Sequence, residues 1–494
     1  MRATVRQREM AIRAAIGASR ARLAAQLLLE SGLLAAAGGA AGCGVAWAGL
    51  GALAALIPGR YVPGEAAIGI HMPALWFALG VTLATTLICG LAPALEVAGA
   101  NLGTPLARES QRGGGLRSAL VMGEIALSIV LLIAAGLMTR TFVKLTQVDA
   151  GFPTANLLHA ELRMPRGRYT SALELQAFFN QALERVRRLP GVTAAGVSFE
   201  VPPVQHGPLV EVEVMGHPGR QPIPAMLGVS SESHFQTMGR AMLRGAAFSA
   251  SDVAAARQVM VVNETFARTF FGGGDPLGQK IRFNLDRMIG APADPTFTIT
   301  GVVSDVRNQG LRRPPLPEAY VPYTMPLAFG AGAILVRTAA PPLTLVESIR
   351  RQIWALDPNV ILTRPGTMEQ SLIESSYAEP RFGLVSVGGF AAIGLALVVA
   401  GIFSVMTYTV SVQTRDIGIR MALGAQQAQI LAMVLGRGLA WIAAGIAAGV
   451  TASLLLTRLI ASQLWGVSPT DPSTFLAVIV LILLAGMGAC LAPA

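Results

Sequence analysis

The chain has 494 residues, of which 53% are hydrophobic and only 13% charged, with a formal net charge of +10 and a mean hydropathy of +0.55. Soluble domains carry about a quarter charged residues, so this balance excludes a wholly soluble protein, and the basic excess flanks apolar runs as topology signals do, not as a nucleic-acid surface does. Cys43, Cys89 and Cys490 lie in separate apolar runs, which excludes a disulfide framework and reads as small packing residues.

A spanning helix needs about 20 mostly apolar residues. The chain opens on Arg2, Arg6, Arg8, Arg13, Arg20 and Arg22, followed by an apolar run too long for a signal peptide. Spans are predicted at 31–57 and 73–95, rich in Gly and Ala that let helices approach closely. A basic linker, 96–116, carries Arg108 and Arg112, and a third span covers 117–143. Residues 144–380 have ordinary polarity and alternate strand-like and helix-like stretches, which reads as an α+β domain, with two subdomains expected. There Asn263 is placed to cap the helix ETFARTFF, with Gly272 as its stop. Further spans follow at 382–410, 435–461 and 473–494. Arginines cluster in 2–22, 96–117 and 411–437, while the loops 58–72 and 462–472 hold only Arg60. The positive-inside rule therefore puts the first three segments in the cytoplasm and 144–380 outside. The fold expected is a multi-pass α-helical membrane protein with an α+β periplasmic domain and about six transmembrane helices.

The chain contains an internal repeat. QREMAIRAAIGASRARLAAQLLLESGLLAAAGGAAG (7–42) matches TRDIGIRMALGAQQAQILAMVLGRGLAWIAAGIAAG (414–449) at a constant offset of 407. Both copies reach LAPA, at 91–94 and 491–494, where the offset is 400. The repeat is a duplicated membrane half, 1–95 and 381–494, and not a solenoid. Against a complete two-half protein the sequence reads as clipped at both ends.

The repeated motif is expected to form a short cytoplasmic helix at 7–18 and again at 414–425. Ile417, Arg420 and Met421 share one face by their i, i+3, i+4 spacing, with Ile419 and Leu423 beside them. Asp416 would sit near the helix start, where the dipole favours an acid. Gly424 would stop it. Mixed apolar and charged faces of this kind suit a groove on a partner; a helix that only stabilises topology is the alternative.

At this motif the sequence resembles the FtsX/MacB family of ABC transporter permeases, through the pattern Arg-Glu/Asp-x-x-Ile-Arg-x-Ala-x-Gly-Ala. VNETFARTFFGGGDPLGQKIRF (262–283) and TITGVVSDVRNQGL (298–311) are similar to that family's MacB-type periplasmic core. GEIALSIVLLIAAGLMTRTF (123–142) looks like the span before it, and the duplicated arrangement is most similar to tandem permeases of acidobacteria. The resemblance implies a permease in the bacterial inner membrane that works with a separate ABC ATPase. It implies that the ATPase contact falls on Arg8, Glu9, Ile12, Arg13 and Gly17, and on Arg415, Asp416, Ile419, Arg420 and Gly424. A periplasmic adaptor or outer-membrane duct would be a further partner, with the lipid bilayer around the spans.

No catalytic constellation is legible. A P-loop lysine follows glycine, whereas Lys144 follows Val143 and Lys280 follows Gln279. No HExxH or GxSxG occurs, and His71, His159, His206, His217 and His234 read as surface or packing residues. No cofactor, metal, enzymatic activity or nucleic-acid partner is expected. Glu124 reads as an interfacial carboxylate one turn inside its span, with an intramembrane functional group as the alternative. Two functions fit: an exporter permease that couples ATP hydrolysis to movements of the periplasmic domain, or a non-transporting subunit that signals to an extracytoplasmic enzyme or sensor.

Overall fold

A computed structural model describes residues 20–56, 69, 71–99, 109–165, 167–169, 171–202, 207–215, 223–285, 294–324 and 331–491. Two compact units divide the chain, Lys144–Ala378 and the remainder on either side of it.

Among the described residues the first elements are three long apolar helices, α1 (Arg20–Leu56), α2 (Met72–Gly99) and α3 (Glu109–Thr146). The Lys144–Ala378 unit then follows in chain order. Its elements begin with β1 (Leu157–Arg163), α4 (Ala172–Arg187), β2 (Val192–Ser198), β3 (Leu209–Val214) and β4 (Ile223–Ser230). Next come α5 (His234–Met238), β5 (Met242–Gly245), α6 (Ala250–Ala254), β6 (Val259–Asn263) and α7 (Glu264–Phe271). The unit continues with β7 (Lys280–Asn284), β8 (Thr296–Val303), β9 (Glu318–Pro322), β10 (Ala331–Thr338), α8 (Val346–Trp354), β11 (Ile361–Thr367) and α9 (Met368–Leu372). A π turn, Ile373–Tyr377, leads into α10 (Ala378–Ala422), and α11 (Gln427–Leu456) and α12 (Pro472–Leu491) follow.

Local chemistry explains these boundaries. Ser171 caps α4 through a reciprocal box with Glu174. Asn263 accepts from the Phe266 N–H, and Gly272 ends α7 at φ 59°, as its sequence predicts. The strands form a mixed sheet in the order β11-β1-β10-β2-β4-β3-β7-β8-β6-β9, with β5 added on β8. The first four strands are antiparallel, whereas β4–β9 and β6–β8 are parallel. Phe179, Phe266, Phe283, Phe297 and Tyr320 fill its core.

In the other unit, α3, α10, α11 and α12 share a second core: Ile125, Ile129, Ile133, Leu137, Val398, Ile402, Ile442 and Ile482 are buried together. Small residues set its approach distances. A Cβ built on Gly445 would stand 2.7 Å from Ile125 Cγ2, and one on Gly449 would stand 2.9 Å from Ile129 Cβ. The α1–α2 pair closes differently, through Gly39 against Thr82 and Gly32 against Thr86. Cys43 and Cys490 are free thiols, and Cys490 packs against Gly438.

Among the described residues, five helices qualify as spans by length and hydropathy: Leu29–Gly51, Ser118–Thr146, Met368–Ser411, Gln427–Leu456 and Pro472–Leu491. The expected span at 73–95 falls on α2, whose apolar part, Met72–Leu87, is shorter. α2 runs to Gly99 and α3 begins at Glu109, and the part of the expected linker between them, 100–108, lies outside the described residues.

Candidate functional site

The candidate contact region is the end of α10. The sequence suggests a separate short helix at 414–425, with Asp416 near its start. Instead, one helix runs from Ala378 to Ala422, so Asp416 lies in its last two turns. Polarity changes at Ser411, where the apolar window ends, but nothing there breaks the backbone: Gln413 and Thr414 are tolerated in a helix, and Thr414 returns its hydroxyl to the Val410 carbonyl at 3.0 Å. The dipole argument for Asp416 therefore fails, because a carboxylate near a C-terminus is unfavourable.

The stop itself lies at Gly424, with φ 94°. Ala425 N–H donates to Arg420 O and Gly424 N–H donates to Met421 O, both at 3.0 Å. That is a Schellman closure, and it needs a residue that tolerates positive φ. The chain then turns into α11, where the Gln426 side chain and Gln429 cap each other reciprocally.

Beyond Ser411 the helix still presents apolar side chains. Leu423 is 83% exposed, Ile419 51% and Met421 47%, and Asp416 and Arg420 are exposed among them. The elbow encloses a shallow depression of about 400 Å³ lined by Arg420, Leu423, Gly424, Ala425, Gln429, Ile430 and Met433. Exposed apolar residues next to charged ones, past the end of an apolar span, mark an interaction surface. Arg415 is in the same helix. Arg8, Glu9, Ile12, Arg13 and Gly17 lie outside the described residues.

Glu124, the other polar residue singled out in a span, points at α10: a Cβ on Gly401 would meet its Oε2 at 2.6 Å. At the opposite end of the bundle, Arg140 of α3 pairs with Asp471 and Ser473 at the start of α12. Asp471 also accepts from the Thr474 N–H at 2.9 Å, capping α12.

Sequence reasoning missed a third cluster, in the Lys144–Ala378 unit. Glu200, His234, Arg240, Glu318 and Tyr320 are buried together. Arg240 donates to Tyr320 Oη at 2.5 Å and to Ser304 O at 2.6 Å. Its Nη2 lies 3.8 Å from Glu318 Oε2. Burial, then the neighbouring Glu318 charge, holds the Glu200 carboxyl well above its ordinary range. Burial, then the Arg240 charge, pushes His234 down to about 3. The one signal in the sequence was Gly228, a glycine inside a buried strand, which often marks a close approach. Among the described residues no cluster of His, Cys, Asp and Glu could hold a metal ion.

Several apolar helices long enough to cross a membrane, together with a mixed α+β unit inserted between them, define a multi-pass membrane protein with an extramembrane domain. Comparison with known proteins makes the class specific. Residues 118–356 match the MacB-like periplasmic core domain, and residues 2–102 and 388–494 match the FtsX-like permease C-terminal region. The chain belongs to the FtsX/MacB-like ABC transporter permeases, and its α+β unit is their periplasmic domain.

Among curated relatives, the chain is 29% identical over 232 residues to the macrolide export ATP-binding/permease protein MacB of Marinobacter nauticus, covering 45% of this chain and 34% of that protein. It is 28% identical over 218 residues to a probable export ATP-binding/permease protein of Pseudomonas fluorescens, covering 42% and 31%. The chain thus spans about a third of the length of the relatives it matches. Among solved structures, the periplasmic region of MacB from Actinobacillus actinomycetemcomitans aligns at 16% identity and TM-score 0.31, covering 47% of this chain and 99% of that one.

Proposed function

We propose that the chain is a permease subunit of an ABC-type exporter in the bacterial inner membrane. A separate ABC ATPase docks on the elbow at Arg415–Ala425, and its cycle works the periplasmic domain so as to drive efflux. The observation that carries this reading is the α10 C-terminus, where exposed Ile419, Met421 and Leu423 continue past the apolar span beside Arg420. Such a surface gains by entering a partner's groove: burying one leucine-sized side chain contributes about 1.5–3 kcal/mol. Arg420 then supplies the charge that sets register.

The relatives' names support an ATP-driven exporter, since they join an ATP-binding part and a permease part in one protein. Neither lysine within these 494 residues has P-loop context, which fits an ATP-binding part carried outside them. A periplasmic adaptor or outer-membrane duct would carry cargo onward.

A photo-crosslinking residue at position 423, in membranes that co-express a candidate ABC ATPase, tests the docking. Crosslinks to the ATPase from position 423, and none from lipid-facing position 397, are expected. Equal labelling from both positions would refute it. Efflux in the same cells tests the export reading. Reduced accumulation of at least one compound is expected, and unchanged accumulation of every compound tried would assign the chain to signalling.

A further inference from the structure

The periplasmic domain's sheet has a seam. Strands β11, β1, β10 and β2 form one antiparallel group, and the remaining strands form the other. The two groups meet at β2–β4 through the single pair Ser198↔Ser230. Two backbone bonds frame that pair, Phe199 N–H to Val229 O and Ser231 N–H to Val197 O, each 2.9 Å. Every other neighbouring pair along the sheet has a longer ladder, the shortest of them β6–β9 with two residue pairs, Val261↔Tyr320 and Val262↔Ala319.

The buried ionisable cluster stands at this seam. Glu200 follows β2 by two residues, and Gly228 precedes Ser230 on β4 by two. Gly228 pairs with Tyr320 of β9, and Met226 pairs with Glu318, so β4 and β9 together face the end of β2. The Glu200 carboxyl occupies the space where a Gly228 side chain would lie, and its Oε2 would be 2.7 Å from a Cβ on Gly207. Two glycines therefore shape a cradle for one carboxyl group. Glu318 and Tyr320 face it from β9, Arg240 from the turn after α5, and His234 from α5, whose backbone lies 3.2 Å from a Cβ on Gly196 of β2. The Glu200 and Glu318 carboxyl oxygens have no hydrogen-bond partner of good geometry among the described residues.

Charge balance decides the state of this site. One guanidinium can compensate one buried carboxylate, and the neutral His234 compensates none. Two ionised carboxylates would leave an uncompensated buried charge, which is strongly unfavourable unless a proton is retained. We propose that a proton held between Glu200 and Glu318 locks the two halves of the periplasmic sheet together, and that losing it at alkaline pH loosens the β2–β4 seam.

Opening the seam exposes Glu200 to water, where it ionises at neutral pH. The opening equilibrium then releases one proton and rises about tenfold per pH unit. Hydrogen exchange on the full chain in lipid nanodiscs tests this between about pH 6.5 and about pH 8.5, after correction for intrinsic exchange. The expected result is a rise of that size in opening at β2 and β4, with none at β7–β8. Glu200→Gln keeps the shape and a donor but carries no titratable proton, so the rise disappears. Glu318→Gln lets Glu200 ionise against Arg240 and also removes it. An infrared carbonyl band of a protonated carboxyl in the wild-type chain at neutral pH, exchangeable only slowly, is the readout that needs no variant. A seam opening that does not change with pH, a wild-type slope in a folded Glu200→Gln chain, or absence of that band would each overturn the proposal.

Discussion

The two copies of the membrane repeat carry the same small-residue spacing and put it to different use. In α11, Gly445 and Gly449 are buried and admit Ile125, Ala126 and Ile129 of α3 to close contact. Their counterparts in α1, Gly38 and Gly42, are exposed, with nothing described within 4 Å of a built Cβ. The hairpins also close differently: Ile442 of α11 packs on Gly486 of α12, while at the matching positions Ala35 is small and Thr86 is large. Glycine spacing thus gives a helix the capacity for close approach, and the helix that fills it decides whether the capacity becomes stability.

Substitutions break that equivalence in a graded way. The largest effect is expected from Gly449→Leu, which forces Ile129 and the α3 backbone apart and costs about 3 kcal/mol. It should lower the thermal midpoint of the full chain in detergent, while Gly42→Leu stays within about 0.5 kcal/mol of wild type. Equal losses from the two would show that both grooves are filled. Next, Gly486→Thr should cost about 2 kcal/mol by overpacking Ile442. Ile442→Ala should cost about 2 kcal/mol by leaving a cavity. Combined, they recreate the Ala35–Thr86 pairing, and a double-mutant cycle should recover about 1 kcal/mol.

The periplasmic domain supplies a contrast with both hairpins, because its buried polar groups make stability depend on pH. Folded Glu200 keeps a proton that the unfolded chain loses above the ordinary value of 4.5, so its contribution falls as pH rises. Folded His234 stays neutral down to about 3 while the unfolded chain protonates it below 6.5, so its contribution falls as pH drops. The two slopes, about 1.4 kcal/mol per pH unit each, oppose and cancel between those ordinary values. Domain melting should therefore show a plateau there, with losses on both sides; Glu200→Gln should remove the alkaline loss and, with the cancellation gone, turn the plateau into a rise with pH. The smallest effect is expected from Asp471→Ala, which removes the α12 cap and the Arg140 partner for about 1 kcal/mol.

Much of this architecture was legible in the sequence, and the misses have physical causes. Apolar runs locate the membrane helices because lipid requires length and little else. The repeat locates the elbow, and Gly424 marks its stop. The helix containing Arg415–Arg420 was misjudged because a fall in hydropathy at Ser411 resembles an end, whereas only Gly424 ends the hydrogen-bond ladder. Strands β4 and β9 are nearly buried throughout and show no alternation, so periodicity alone does not mark them as strands. The seam cluster could not be read from spacing at all, since Glu200, His234, Arg240 and Glu318 meet only when separate segments of the sheet come together.

The α10 elbow is the site proposed for docking of a separate ATPase. Affinity capture of the co-expressed ATPase by a tagged chain, wild type against Arg420→Glu, tests it most directly. The account predicts that the variant inserts and melts as wild type does, yet recovers about a tenth or less of the ATPase, a loss of about 1.4 kcal/mol or more. Undiminished capture by the folded variant would contradict it.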